Sequence, residues 1–146
     1  MLRILTFALA TVICSYGQVH PFKPLSRAEP IVRMVLQEAI HEPFAGLIAV
    51  AGVALDRMED RRWPTTADRV VRQPYQFTGM SIKLRNYSRK QITRARLAVA
   101  VAENGERPCG TVLWYHATWM IPAWDYNKIE IACRLGGHIF YRDKEH

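Results

Sequence analysis

The sequence predicts an α+β domain, mainly helical, with a small antiparallel sheet at its C-terminal end. Three observations carry this. Apolar residues recur at helical spacing through the earlier part of the chain. Short β-branched and aromatic runs are confined to the tail, and the glycine pair at 136 and 137 divides the last of these runs into two arms. A chain of 146 residues fits one core, large enough to bury about two-thirds of its unfolded surface. Its composition is neither poor in apolar residues nor rich in Gly and Pro, which argues against global disorder.

The N-terminal stretch "MLRILTFALATVICSYGQ" reads as a signal peptide over 1–17. It has one charge at Arg3, an apolar run from Ile4 to Cys14, and small residues Ser15 and Gly17 ahead of a cleavage point. The run is shorter than the roughly 20 residues a membrane span needs, so membrane association is expected to be transient, through the signal alone. Ile13 stands where a lipoprotein signal needs a small residue before its cysteine. Export to the periplasm or medium is therefore the expectation. Residues 18–25, with Pro21 and Pro24, read as an extended linker, and 26–146 as the functional domain.

In that domain Ser26 or Glu29 caps a first helix with Pro30 in its first turn, running through Ile31, Met34 and Val35 and ending around Ile40. Pro43 enforces the end, because its ring opposes helical geometry at Glu42 and clashes with the carbonyl of Ala39. A second helix starts with Pro43 in its first turn and continues to about Met58. It is apolar on nearly every face, hence central, and Gly46, Ala49, Ala51, Gly52 and Ala54 keep it thin.

A short helix opening at Thr65 or Thr66 and closing before Pro74 follows. A longer one spans Ser88 to about Glu103, with Ile92, Ala95, Val99 and Ala102 on one face and Asn104-Gly105 as its stop. "TVLWYHA" then reads as a strand, and "KIEIACRLGGHIFYR" as a hairpin turning at Gly136-Gly137.

Glu38 and Glu42 are the candidates for chemistry. Glu38 follows Ile31 by seven residues, Met34 by four and Val35 by three, so helical spacing puts it on the apolar face, in the helix's last turn. Apolar surroundings and the negative end of the helix dipole both disfavour its ionised form, which suits a general acid. The competing reading is a bond to a buried backbone group or to an arginine such as Arg57. Glu42 sits at the positive end of the second helix, where an ionised cap is expected. "HEPFA" begins like the zinc-protease motif, but Ala45 replaces the second histidine, so no metal and no cofactor is expected.

Cys109 and Cys133 remain once Cys14 is removed with the signal. An even pair in an oxidising compartment predicts a disulfide, the alternative being two buried thiols. A formal charge of +7, one unit of it on Arg3, and a pI of about 9.7 favour a polyanionic partner. The basic residues follow no nucleic-acid-binding module, so nucleic acid is not the expected partner.

The segments "EAIHEPFAGLIAVAGVALDRM", "RWPTTADRVVRQPYQF", "TVLWYHATWMIPAWDY" and "GGHIFYR", in that order, resemble the cell-wall hydrolase family of the SleB and CwlJ type. The similarity runs from about Ile31 to Arg142. It implies a lysozyme-like fold and an enzyme that cuts the peptidoglycan glycan strand between N-acetylmuramic acid and N-acetylglucosamine, as a lytic transglycosylase or a muramidase. It also implies that Glu38 is the catalytic acid/base. Aromatic and polar side chains at Gln76, Phe77, Tyr115, His116, Trp124, His138 and Tyr141 are then expected to bind sugar, with Gln76 and His116 favoured as hydrogen-bonding groups. Asp56 departs from the family's usual Asn. It either pairs with Arg57 or alters the site, and with Glu42 it is a candidate second carboxylate. A monomer is expected, acting as a phage lysin or a periplasmic hydrolase rather than on spore cortex. The other reading is an exported domain that binds peptidoglycan or another polyanion without cutting it.

Overall fold

The computed structural model describes residues 28–74, 76–77 and 83–144. The expected signal, the linker and the Ser26 cap lie outside these. Helices come first: α1 (Glu29–Ala39), α2 (Phe44–Glu59), α3 (Ala67–Val71), a 3₁₀ turn (Leu84–Asn86) and α4 (Arg89–Glu103). Strands β1 (Trp114–Ala117), β2 (Ile129–Leu135) and β3 (His138–Asp143) follow and form one antiparallel sheet in the order β1-β3-β2.

The helix ends follow local chemistry. α4 opens with a capping box, in which the Gln91 N–H donates to the Ser88 hydroxyl while the Ser88 N–H donates to the Gln91 side chain. It closes on Asn104, with Gly105 at φ +98°. There the Gly105 N–H donates to Ala102 O and the Glu106 N–H to Val101 O, the paired bonds of a Schellman motif. α1 has Ala28 at its N-cap and no side-chain cap, with Glu29 and Pro30 inside the first turn. α3 follows Thr66.

At the α1–α2 corner Pro43 has ψ 153°, well outside helical geometry. The carbonyls the break leaves without helical partners are collected by one side chain. Arg94, from α4, donates from Nη1 to Ile40 O at 2.8 Å and from Nη2 to Glu42 O at 2.6 Å.

α2 is the central element, buried continuously from Gly46 to Ala54, and it packs against α1, α3, α4 and β1. Its small residues let partners come close. A Cβ at Gly52 would stand 3.2 Å from Arg107 Cδ. Arg107 uses that space to reach Asp56, with Nε 2.6 Å from Oδ1, in an ion pair nearly closed to solvent.

Cross-strand neighbours share a face, so the pairing sorts the sheet. Tyr115 opposite Phe140 and Ala117 opposite His138 face the helices, and Phe140 joins the main core. Trp114 opposite Tyr141 and His116 opposite Ile139 face outward, where Ile129, Ile139 and Tyr141 form a second, smaller cluster. A bulge between Ile131 and Cys133 sets two β2 residues against one of β3. Cys133, just past it, bonds to Cys109 in the segment after α4, with Cα atoms 5.5 Å apart. The disulfide thus ties the sheet to the helical layer.

Reduction should lower unfolding stability by about 3 kcal/mol for a crosslink of this span. Urea unfolding with and without reductant measures it.

Candidate active site

A groove of about 670 Å³ opens between the α1–α2 corner and strand β1. Gln37, Glu38 and Glu42 form one wall. Gln76 and Phe77 close one side, and Tyr115 to Met120, Pro122, Trp124, Gly137 and His138 complete the lining. Because β1 is an edge strand, the groove wraps around it and draws on both of its faces. The inward Tyr115 and the outward His116 therefore reach the same space.

Glu38 is half-buried in the last turn of α1, beside the buried hydroxyl of Tyr115. That hydroxyl has no partner at strict hydrogen-bond geometry, yet it stands close enough to feel the Glu38 carboxyl. Burial chiefly, and then the Glu38 charge, hold the Tyr115 phenol well above its usual pKa, while Arg57 opposes them. Tyr115 therefore stays protonated and is available to donate.

Arg57 lies behind this group. Burial lowers its pKa to about 10, its Nε donates to Leu113 O at 2.7 Å, and its guanidinium covers the Trp63 and Phe77 rings at 5.4 and 5.3 Å.

Glu42 does not cap α2, which has no side-chain cap. Its carboxylate reaches across the groove and accepts the Gly137 N–H at 2.7 Å, fixing the hairpin turn against the helix corner. The turn has to be glycine at 136. Gly136 has φ +56°, and a Cβ there would fall 1.8 Å from Glu42 Oε2. A donor closer in space, in the turn, replaces the helix end as the carboxylate's partner.

His138 Nδ1 is 3.8 Å from Glu42 Oε1, buried and without a hydrogen-bond partner. Burial lowers the His138 pKa, and nearby His116 adds to this, against the opposing pull of Glu42 and Glu38. The ring is neutral between two acids.

His116 is held differently from the expectation of a sugar hydrogen bond. Its Nδ1–H donates to Ala117 O at 2.8 Å, since a carbonyl can only accept. In the tautomer with hydrogen on Nδ1 alone, Nε2 takes the Tyr141 hydroxyl hydrogen, also at 2.8 Å. Both nitrogens are engaged within the protein. Tyr141 does not line the groove but sits in the outer cluster, orienting His116, with its pKa raised mainly by burial.

Asp56 is absent from the groove lining. It pairs with Arg107 rather than Arg57, and its Oδ2 accepts the Val112 N–H at 2.9 Å. Both oxygens are committed to holding the post-α4 segment, which removes Asp56 as a second carboxylate. Of the remaining candidates, Glu38, Glu42, Gln76, Phe77, Tyr115, His116, Trp124 and His138 all reach the groove. Sequence reasoning missed Gln37, Trp119 and Met120, although the apolar run "TWMIP" directly after β1 was a usable signal.

The cell wall hydrolase family profile matches residues 41–141, beginning just after Glu38. A spore cortex-lytic enzyme of Halalkalibacterium halodurans is 32% identical over 111 residues, which is 75% of this chain and 33% of that protein. The corresponding enzyme of Oceanobacillus iheyensis is 34% identical over 110 residues, 73% of this chain and 38% of that protein. The chain thus spans about a third of the length of these curated relatives. Among solved structures, the catalytic domain of the germination-specific lytic transglycosylase SleB from Bacillus anthracis superposes with a TM-score of 0.67 at 27% identity. The match covers 85% of this chain and 100% of that one.

Gly136→Ala should evict Glu42 from the turn and strain the backbone, costing upward of about 1 kcal/mol in a thermal melt, and Glu42→Ala should remove the steric part of that cost. The His138 shift carries a sign. The unfolded ring takes a proton near pH 6.5 and the folded ring only at lower pH, so stability should fall as pH drops from about 6.5 through the folded pKa. Stability-versus-pH curves of wild type and His138→Gln check this, with the variant losing that part of the slope.

Proposed function

The chain belongs to the cell wall hydrolase family and is homologous to the SleB lytic transglycosylase catalytic domain, and from this we propose that it cleaves peptidoglycan glycan strands with Glu38 as general acid and base. The observation that carries the reading is the half-buried carboxyl of Glu38 inside a groove of about 670 Å³, beside a phenol that stays protonated. The bond attacked joins N-acetylmuramic acid to N-acetylglucosamine.

In the first half of the reaction, protonated Glu38 donates to the glycosidic oxygen as the C1–O bond breaks and positive charge develops on the muramic ring. In the second half, the muramic 6-hydroxyl attacks C1 and its proton passes to the Glu38 carboxylate. The product is a 1,6-anhydro end, no water is consumed, and Glu38 is again protonated. Tyr115 can donate toward the carboxylate during the interval in which Glu38 is ionised.

Hydrolysis with retention needs a second carboxylate about 5 Å away, and inversion a base some 6.5–9.5 Å away. Glu42 is the other carboxylate that lines the groove among the described residues, and it is engaged by Gly137. The transglycosylase route needs only Glu38 and is preferred. Phe77, Tyr115 and Trp124 supply apolar faces for pyranose rings, Gln76 supplies an exposed amide, and His116 shapes the floor. A wall substrate implies an extracytoplasmic enzyme, with which the Cys109–Cys133 disulfide is consistent. A phage lysin and a periplasmic hydrolase both fit a domain of this size.

In a gel with embedded peptidoglycan, wild type should leave a cleared zone and Glu38→Gln should be slower by about 10²–10⁴-fold. Equal clearing would remove Glu38 from the mechanism, and no clearing by wild type would leave a binding domain. Mass spectrometry of the released fragments should find anhydro-muramic ends, whereas reducing ends would establish hydrolysis.

A further inference from the structure

Three consecutive apolar residues directly after β1 are turned to solvent: Trp119 is 81% exposed, Met120 44% and Ile121 90%. They are not on a loose loop. The Thr118 N–H donates to Gly137 O at 2.8 Å, extending the β1–β3 ladder to the hairpin turn that Glu42 holds, and the Met120 N–H donates to Ala117 O at 2.9 Å, closing a turn around Trp119. Trp119 and Met120 line the same groove as Glu38. A large indole carried on a hydrogen-bonded turn, exposed to solvent and lining a groove, has an unspent stacking face.

We propose that Trp119 is a glycan-binding platform: it stacks on the apolar C–H face of a hexosamine ring at the groove rim, with Met120 beside it, and anchors the strand that Glu38 cuts. The inference rests on the peptidoglycan reading and adds a residue that sets affinity for the polymer. A pyranose ring matches the site because it combines an apolar face for the indole with polar edges left to solvent.

Two other occupants fit less well. Residues 114–127, which carry the tip, contain no lysine or arginine and one acid, Asp125, so this segment offers no attraction to an anionic bilayer. A tip of three residues is also far smaller than the roughly 1,200 Å² a stable dimer buries.

The test measures binding of peptide-free glycan strands to the full domain in the Glu38→Gln background, comparing Trp119 with Trp119→Ala and Trp119→Tyr. Alanine should weaken the dissociation constant about tenfold and tyrosine by less than about threefold, with unchanged melting temperatures because the indole touches no core. Equal affinity for the alanine variant overturns the proposal. So does a loss confined to anionic phosphatidylglycerol vesicles or to self-association in sedimentation, with glycan binding intact. In the active background, Trp119→Ala should raise KM on polymeric walls about tenfold and leave kcat within about twofold. A wild type that binds strands but releases no fragments would sink the catalytic reading and leave this inference standing. Wall-clearing that Trp119→Ala does not slow would do the reverse.

Discussion

The break at Pro43 is the constraint on which the rest of the structure depends. α1 and α2 are both buried along much of their length, so they cannot merge into one rod without opening the core. Proline ends the first helix and starts the second. The break leaves the part-buried main-chain carbonyls at 40 and 42 without helical donors, and Arg94 satisfies both with one planar fork. That arrangement sets Glu38 and Glu42 on opposite sides of a sharp corner, one ending a helix and the other preceding the next.

The corner would define half a groove without the sheet. Glu42 completes it by accepting a backbone hydrogen bond from a residue 95 positions later, at a turn where any side chain on Gly136 would collide with the carboxylate. The helical and strand layers are therefore registered at this hydrogen bond and at the disulfide, and also through Phe140 in the main core and the Arg62–Asp143 ion pair. Edge strand β1 has a free side, which becomes the groove floor. The buried Asp56–Arg107 pair works at the other end of α2, where it holds the segment that leads into β1.

Features set by neighbours in the chain were legible in the sequence. The Ser88 helix start, the Asn104-Gly105 stop, the Pro43 break and the Gly136-Gly137 turn each occupy a few consecutive residues and act through backbone geometry. The mainly helical domain with its three-stranded C-terminal sheet followed from them. Partners far apart in the chain were not legible. For Asp56 the sequence offers either a pair with Arg57 or a change at the site; on a helix adjacent side chains point in different directions, and Asp56 finds Arg107 across the space left by Gly52. Glu42 was read as a cap for the same reason, since its true partner is visible only once the hairpin is folded back. His116 and Tyr141 were grouped as sugar ligands by residue type. The fold hydrogen-bonds them to each other, with His116 in the groove lining and Tyr141 outside it.

The sheet also divides the hydrophobic interior unequally. The main core draws on every α-helix and on Phe140, while the outer cluster rests on Ile129, Ile139 and Tyr141, with Trp114 and Trp124 packed against it. The two clusters share one strand, because Phe140 points from β3 into the main core while its neighbours Ile139 and Tyr141 point into the outer cluster. Trp124 and His116 are moored to the outer cluster, so one rim of the groove rests on it, while α1, which carries Glu38, belongs to the main core. The groove thus has one wall built from the main core and another that leans on a cluster of five side chains.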